Sequence, residues 1–481
     1  MRFSEYYGTK RSSRDTWFDP ILDIDTPLFV DPFLVFRSRI PEFKGAHDFV
    51  VEFFNVVFKL IATTKGKCTH PNWSKAVSLL HFPEPKEICL GYSDTSIMGR
   101  GSGGGISSLL AHALWECVER GIVHISHFEE VSIFRKNLGA DRISDAVVNL
   151  IRPFIANYTE RICSHYGIPT VPVRYSRGQF NCNLYRWDVF DTRLPLNPMV
   201  GRGHIMLLPE TVLKELPTIS PWGFFDYVSS HENHLLRQEF GNHIKSHVKR
   251  AEILSIARKV ACEHPEAVEN YLSWLRSVRP TSYDLERDEK GIVRWHDATQ
   301  IFCNQNALIF RTPANEQDFI KFIEMLIRQF KMFVEEEGGT ELLWDDRGRR
   351  PKNEKAAQRL LFGIVKHYCK ANNIDLSKET NIARGPVDLK FSNGYEKRAL
   401  LELKLARNPK LKRGFEKQLP QYLRSEEVTY GFYGIVIYRD SERKKALEIR
   451  NLAQKAISSE GFQIKVFLVD ATSTKVSASR L

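Results

Sequence analysis

Hydrophobic spacing divides this chain into two kinds of sequence. Through the first 340 residues, apolar positions recur mostly at helical intervals. Ala46 to Ile61 is rich in Phe and Val at that spacing, and Ile106 to Val118, Ile143 to Cys163, His231 to about Ala261 and Asn315 to Glu337 repeat the pattern. Proline-rich punctuation from Pro169 to Pro221 interrupts it, leaving short strand candidates such as Thr170-Val171-Pro172-Val173-Arg174-Tyr175. Beyond Gly338-Gly339-Thr340 and a charged segment through Lys352, which together read as a hinge, helix and strand periods alternate. The spacing there predicts a helix at 353–371, strands near 377–383, 386–391 and 398–406, a helix at 414–424, a strand at 431–438, a helix at 442–458 and a strand at 462–469. Three regions are expected: a mainly helical domain over 1–195, a helical middle region over 196–340, and a domain of mixed helix and sheet over 341–481. The expected class is α/β at the C-terminus with a mainly helical α+β N-terminal region.

Composition narrows the setting. A chain of 481 residues with 42% hydrophobic and 26% charged positions has the ordinary make-up of a soluble globular protein of two or three domains. No apolar stretch reaches membrane-spanning length, and Met1-Arg2-Phe3-Ser4-Glu5 lacks the apolar run of a signal peptide, so no membrane contact is expected. The eight cysteines form no C-x-x-C pair or disulfide framework, which favours free thiols in a reducing cytoplasm. The net charge of +11 is unevenly placed. Residues 341 to 481 carry 29 Lys and Arg against 17 Asp and Glu, whereas residues 1 to 340 carry 40 against 41. The whole basic excess therefore lies in the last segment, as expected where a polyanion binds and condensed counterions are released. Arg347, Arg349, Arg350 and Lys352 precede the first helix of that segment, and Arg407, Lys410, Lys412, Arg413 and Lys417 follow its third strand.

Between those basic clusters lies the candidate chemistry. In Ala399-Leu400-Leu401-Glu402-Leu403-Lys404-Leu405, strand alternation puts the odd positions on an apolar face and projects Glu402 and Lys404 together from the other. Asp388, in Gly385-Pro386-Val387-Asp388 on the preceding strand, supplies a second carboxylate. Mg2+ prefers oxygen ligands and takes one or two carboxylates plus waters and substrate phosphate oxygens, a role that suits Asp388 and Glu402. Lys404 would sit beside the attacking water or the developing charge. Shared ligation sets a geometric condition. A tight turn at Asn393-Gly394 would place Asp388 opposite Ala399, so a wider connection centred near Tyr395, or a bulge, is expected instead.

These residues resemble the PD-(D/E)xK, or restriction-endonuclease-like, nuclease superfamily over roughly the last 140 residues. Pro386, Asp388, Glu402 and Lys404 match its proline, first acid, second acid and lysine, with Val387 inserted between proline and aspartate. Glu354, in the helix beginning Asn353-Glu354-Lys355, fits the further acid that the family often places near the metal. Gln418-Leu419-Pro420-Gln421-Tyr422 fits a Gln-x-x-x-Tyr element carried by some branches. The resemblance implies a mixed-sheet, restriction-endonuclease-like core and a metal-dependent endonuclease acting on DNA. Its catalytic residues would be Asp388, Glu402, Lys404, Glu354, Gln418 and Tyr422, with Mg2+, or Mn2+ substituting, on Asp388, Glu402 and Glu354. A role in bacterial anti-phage defence or restriction follows by analogy alone, and a repair or junction-resolving nuclease is the alternative. An inactive nuclease-like scaffold that binds nucleic acid is the reading from another class. The N-terminal region would then recognise, regulate, dimerise or bind a partner protein.

Three N-terminal features support less. Gly99 to Gly105 runs into a helix but lacks the Gly-Lys-Ser/Thr of a phosphate-binding loop. His231, His234, His243 and His247 have zinc-compatible helical spacing, yet no His-Glu-x-x-His motif or cysteine partner accompanies them. Gly139 to Asp145 reads as a helix start with Asp141 or Ser144 near its N-cap.

Overall fold

A computed structural model describes the whole chain other than residues 13, 92–104, 120, 122–124, 135–138, 202, 232–249, 309–312, 346, 383–384, 456–460 and 474–481. It divides into two compact units, Met1–Tyr283 and Asp284–Leu481.

The first unit is mainly helical. Its central helix α1 (Ala46–Thr63) buries Val50, Phe53, Phe54, Val57 and Phe58 along one stripe, and Phe54 stacks flat on Phe128 with ring centroids 3.8 Å apart. Helices α2 (Pro71–Leu79) and α3 (Gly105–Glu119) pack beside it. The run expected as one helix from Ile143 to Cys163 is two, α4 (Ala140–Leu150) and α5 (Arg152–Tyr166). Pro153 lies in the first turn of α5, where its missing N–H costs nothing but where an unbroken helix could not pass. Gly139, and neither Asp141 nor Ser144, is the N-cap of α4. Ser144 points inward, its Oγ accepting the Val30 N–H at 3.0 Å. The expected strand at 170–175 continues to residue 181 as β1 (Val171–Asn181), paired antiparallel with β2 (Arg186–Leu194). Helices α6 (Pro221–His231), α7 (Arg250–Glu263) and α8 (Pro265–Val278) complete the unit.

The second unit begins earlier than the expected hinge at 338–352. Helices α9 (Arg294–Gln305) and α10 (Glu316–Glu335) pack against α11 (Glu354–Ala371), so the middle region expected over 196–340 is shared between the two units. The reason is apolar area. Helix α10 buries nine residues from Phe319 to Val334, and its Lys331 and Glu335 hydrogen-bond the backbone at Leu468 and Asp470. Helix α9 approaches α11 so closely that a Cβ on Gly363 would lie 2.4 Å from Thr299 Oγ1.

The strands of this unit fall within a few residues of their expected positions along the chain. Strands β3 (Asp375–Ile382), β4 (Gly385–Ser392), β5 (Arg398–Leu405), β6 (Tyr430–Ile437) and β7 (Gln463–Asp470) lie side by side in sequence order. The first three pair antiparallel, and β5, β6 and β7 pair parallel through helices α12 (Leu419–Ser425) and α13 (Arg443–Lys455). The fold is thus mixed α/β with a five-stranded mixed sheet. Strand β5 sits at its centre, buried on both faces, which is why Leu400 as well as Leu401 and Leu403 is apolar.

Candidate active site

The β4–β5 register brings the candidate acids together. Ser392 pairs with Arg398 and Leu389 with Leu401, which leaves residues 393–397 as the connecting loop. Its centre is Tyr395, as shared ligation required, and Asn393-Gly394 opens the loop instead of forming the turn by itself. Asp388 therefore lies beside Glu402: its N–H points to Glu402 Oε2 at 3.4 Å, while its own Oδ2 accepts the Leu403 N–H at 2.7 Å.

Helix α11 reaches the same place from across the sheet. Asn353 caps the helix, its side chain accepting the Ala356 N–H, and so starts the first turn at Glu354. Glu354 Oε2 accepts the Leu405 N–H at 3.1 Å and the Asn408 side-chain amide at 3.0 Å. Its Oε1 lies 3.2 Å from Lys404 Nζ, and Glu402 Oε1 lies 2.7 Å from the same nitrogen. One helical turn after Glu354, Gln358 Nε2 donates to Asp388 Oδ1 at 2.8 Å. Carboxylates from three elements thus gather at one place, Glu354 and Glu402 on Lys404 and Asp388 beside Glu402.

Burial makes this arrangement electrostatically tense. Glu402 is 1% exposed, and three ionised carboxylates gathered around one ammonium would leave an excess of two negative charges, which burial disfavours. Burial and then the charge of Glu402 push the half-buried Asp388 up to about 8, against the pull of Lys404. Burial likewise raises Glu402, opposed by Lys404. For Lys404, burial disfavours the charge, but Asp388, Glu402 and Glu354 outweigh it and raise its pKa, so the side chain stays an ammonium.

Among the described residues, no three His, Cys, Asp or Glu side chains already stand as a finished metal site. The donor chemistry nevertheless fits a hard divalent cation. All three acids offer oxygen, and a charge of two cancels the excess that burial penalises.

Gln418 and Tyr422 sit apart from the acids. Gln418 Nε2 donates to Tyr422 Oη at 3.0 Å, and neither hydrogen-bonds a carboxylate of the centre. Tyr422 is buried, its hydroxyl pKa raised by burial and then by the charge of Glu402, so it senses the centre without touching it. Residues 414–418, just before α12, form a π-helical turn. Gly414 is needed there, because a Cβ would fall 2.4 Å from the Tyr433 hydroxyl.

Of the basic residues flanking the centre, two are committed elsewhere. Lys352 is buried and donates to the Asp288 carbonyl, while Arg407 lies over the Tyr438 ring and donates to the Lys352 carbonyl. Arg347, Arg349, Arg350, Lys410, Lys412, Arg413 and Lys417 are exposed. Gln358 and Asn408 did not stand out in the sequence. The i, i+4 spacing of Gln358 from Glu354 was the available signal, whereas nothing local marks Asn408. Of the N-terminal features, residues 99–104 and His234, His243 and His247 lie outside the described residues, and His231 stacks on Tyr227.

Two families match parts of the chain, each described as a domain of unknown function: DUF8370 over residues 9–220 and DUF8371 over residues 319–440. The second match takes in α10, α11 and strands β3 to β6, and with them all six candidate catalytic residues. No curated protein and no solved structure matches the chain.

Proposed function

We propose that the chain is a metal-dependent nuclease whose C-terminal unit has a restriction-endonuclease-like core and hydrolyses DNA phosphodiester bonds. The observation that carries this reading is the gathering of three acids around one lysine, Glu402 and Glu354 on Lys404 and Asp388 beside Glu402. An E-x-K pair on a strand is common as a wet-face alternation, but Glu402 is 1% exposed and held against two further acids. Such a cluster has no structural advantage that an apolar set of the same volume would lack.

Asp388, Glu402 and Glu354 would hold Mg2+, or Mn2+ in its place. When bound, the ion would polarise the scissile phosphate and acidify water. The protein's own groups do the rest. Asp388 and Glu354 are each fixed by a backbone N–H and a side-chain amide, so their oxygens do not rotate away. Lys404 remains an ammonium and serves as a donor that orients water or stabilises charge on phosphate, a role distinct from that of a base. Exposed basic residues on both sides of the centre would track the phosphate backbone. A defence or restriction role, and a dimer or partner surface in the first unit, rest on the family resemblance.

The test is incubation of full-length protein with plasmid, linear and single-stranded DNA, with Mg2+ or with EDTA. Asp388→Ala and Glu402→Ala should abolish cleavage and leave DNA affinity largely intact, since affinity rests on distributed basic residues. Lys404→Ala should lose turnover while retaining Mg2+ binding. Wild-type cleavage by Asp388→Ala would move the activity elsewhere, and an inert wild-type protein that binds DNA would favour the scaffold reading.

A further inference from the structure

A cleft of about 640 Å³ opens in the first unit, bounded by α1, the β1–β2 turn, the segment at Ser126-His127 and α8. A second, of about 360 Å³, adjoins it and shares Phe36, His47 and Asp48. The larger falls within the size range of small-molecule sites. Among the described residues its lining holds a buried ring nitrogen without a hydrogen-bond partner.

His127 is fully buried on the floor, and one of its ring nitrogens meets His47 Nε2 at 3.1 Å. Among the described residues its Nε2 has no hydrogen-bond partner, while His47 Nδ1 lies 3.7 Å from Asp48 Oδ1. Burial, then His47 and Arg276, lowers His127 to about 3, and burial lowers His47, so both rings are neutral at pH 7 and present hydrogen-bonding nitrogens without charge. Charge comes from four exposed cations: Arg276 and Lys59 line the larger cleft, Arg39 and Lys44 the smaller. Among the described residues none of the four forms an ion pair. Flat apolar surface is present too, for Phe36 is 43% exposed and Tyr185 37% exposed at the rim. Along one wall, Asp48, Glu52, Asn55 and Lys59 follow one another on a single face of α1.

We propose that this cleft binds a nucleotide, its phosphate taken by Arg276 and Lys59, its base laid on Tyr185 or Phe36, and its sugar hydroxyls donated to Asp48 or Glu52. Each part of that ligand answers a group on the wall. Unpaired cations select an anion, exposed rings select a flat heterocycle, and a carboxylate beside them is the usual acceptor for ribose hydroxyls. The acids also argue against a plain polyanion surface, because two carboxylates facing a bare phosphate chain would repel it. The site belongs to the first unit alone and is independent of the proposed nuclease centre.

The experiment is calorimetric titration of full-length protein in EDTA, which keeps the carboxylate centre silent, with AMP, GMP, CMP, UMP and the corresponding triphosphates. Adenosine and inorganic phosphate serve as half-ligands. At least one nucleotide should bind at one site per chain, and nucleoside or phosphate alone should bind about tenfold more weakly or worse. Arg276→Ala should weaken the nucleotide by about tenfold and leave the nucleoside unchanged, whereas Tyr185→Ala should weaken both. Both side chains are exposed, so neither change threatens the fold. Absence of binding by all eight nucleotides at millimolar concentration, or affinities unchanged in both variants, would overturn the proposal. Binding of a single-stranded deoxythymidine oligomer that Arg276→Ala weakens, with none of the mononucleotides bound, would overturn it in favour of a strand.

Discussion

At the scale of single residues, the polar atoms that hold the acids matter as much as the acids. Among the described residues, Gln358 hydrogen-bonds the candidate centre through Asp388 Oδ1 alone, so Gln358→Ala should leave the fold intact and free that carboxylate to rotate. Outer partners of metal ligands typically govern about 10- to 100-fold in affinity. We expect a loss of that size in Mg2+ affinity by calorimetry, with an unchanged circular dichroism spectrum; unchanged affinity would mean that Asp388 is held well enough by the Leu403 N–H. Asp145 offers a pH test away from that centre. Burial first, then Asp141 and Glu84, push its carboxyl up to about 8, whereas in the unfolded chain it titrates near 4. The folded protein thus retains a proton that the unfolded chain releases. This contribution to stability is full below about pH 4 and is lost as pH rises through about 8. Asp145→Asn should therefore lessen the fall of the thermal midpoint between pH 5 and 8, and parallel curves for the two proteins would refute the assignment.

At the scale of elements, the second unit depends on how closely α9 and α11 approach. Gly363 lies where they cross, and an added Cβ would stand 2.4 Å from Thr299 Oγ1 and 3.0 Å from both Thr299 Cβ and the Trp295 ring. In an open helix, Gly to Ala gains about 1 kcal/mol, but overpacking of this kind costs about 1–3 kcal/mol. We expect Gly363→Ala to destabilise the protein by about 1 kcal/mol in urea unfolding, and Thr299→Ala to relieve the part of the crowding that Thr299 causes. A stabilised Gly363→Ala single variant would show that the helices can part at little cost. Strand β5 is subject to the same logic of packing. Because both its faces are buried, an acid at position 402 survives only where partners are supplied, and Lys404 of the same strand and the Asp388 N–H of β4 supply them.

At the scale of the whole molecule, the two units divide after Tyr283, which changes where a fragment should be cut. A piece beginning at Gly339 would strip α9 and α10 from α11 and uncover buried residues of α11 such as Phe362, which meets Trp295, and Tyr368, whose hydroxyl donates to the Asn306 carbonyl. We expect that piece to aggregate. A piece from Asp284 to Leu481 should fold, bind DNA with a salt dependence close to that of the full protein, and cut it poorly or without control. Binding titrations at two salt concentrations and one cleavage assay decide the matter, and DNA binding confined to the N-terminal piece would reassign the recognition surface.

Much of the second unit could be read from local order. Strand runs of apolar residues, an Asn-capped helix and alternating helix and strand periods placed the elements of the sheet within a few residues, because each signal is short-range. The identity of Asp388, Glu402, Lys404 and Glu354 as one group was legible as ordered spacing, and the register followed from asking two acids to share a ligand. Periodicity alone could not tell that α10 belongs with the sheet and not with the helices before it, since an amphipathic stripe says that a face is buried and not against what. Nor could it find Gln358 and Asn408 as partners of the acids, or seat His47 against His127, eighty residues apart in sequence. Those pairings depend on which backbones meet, and only the folded chain decides that.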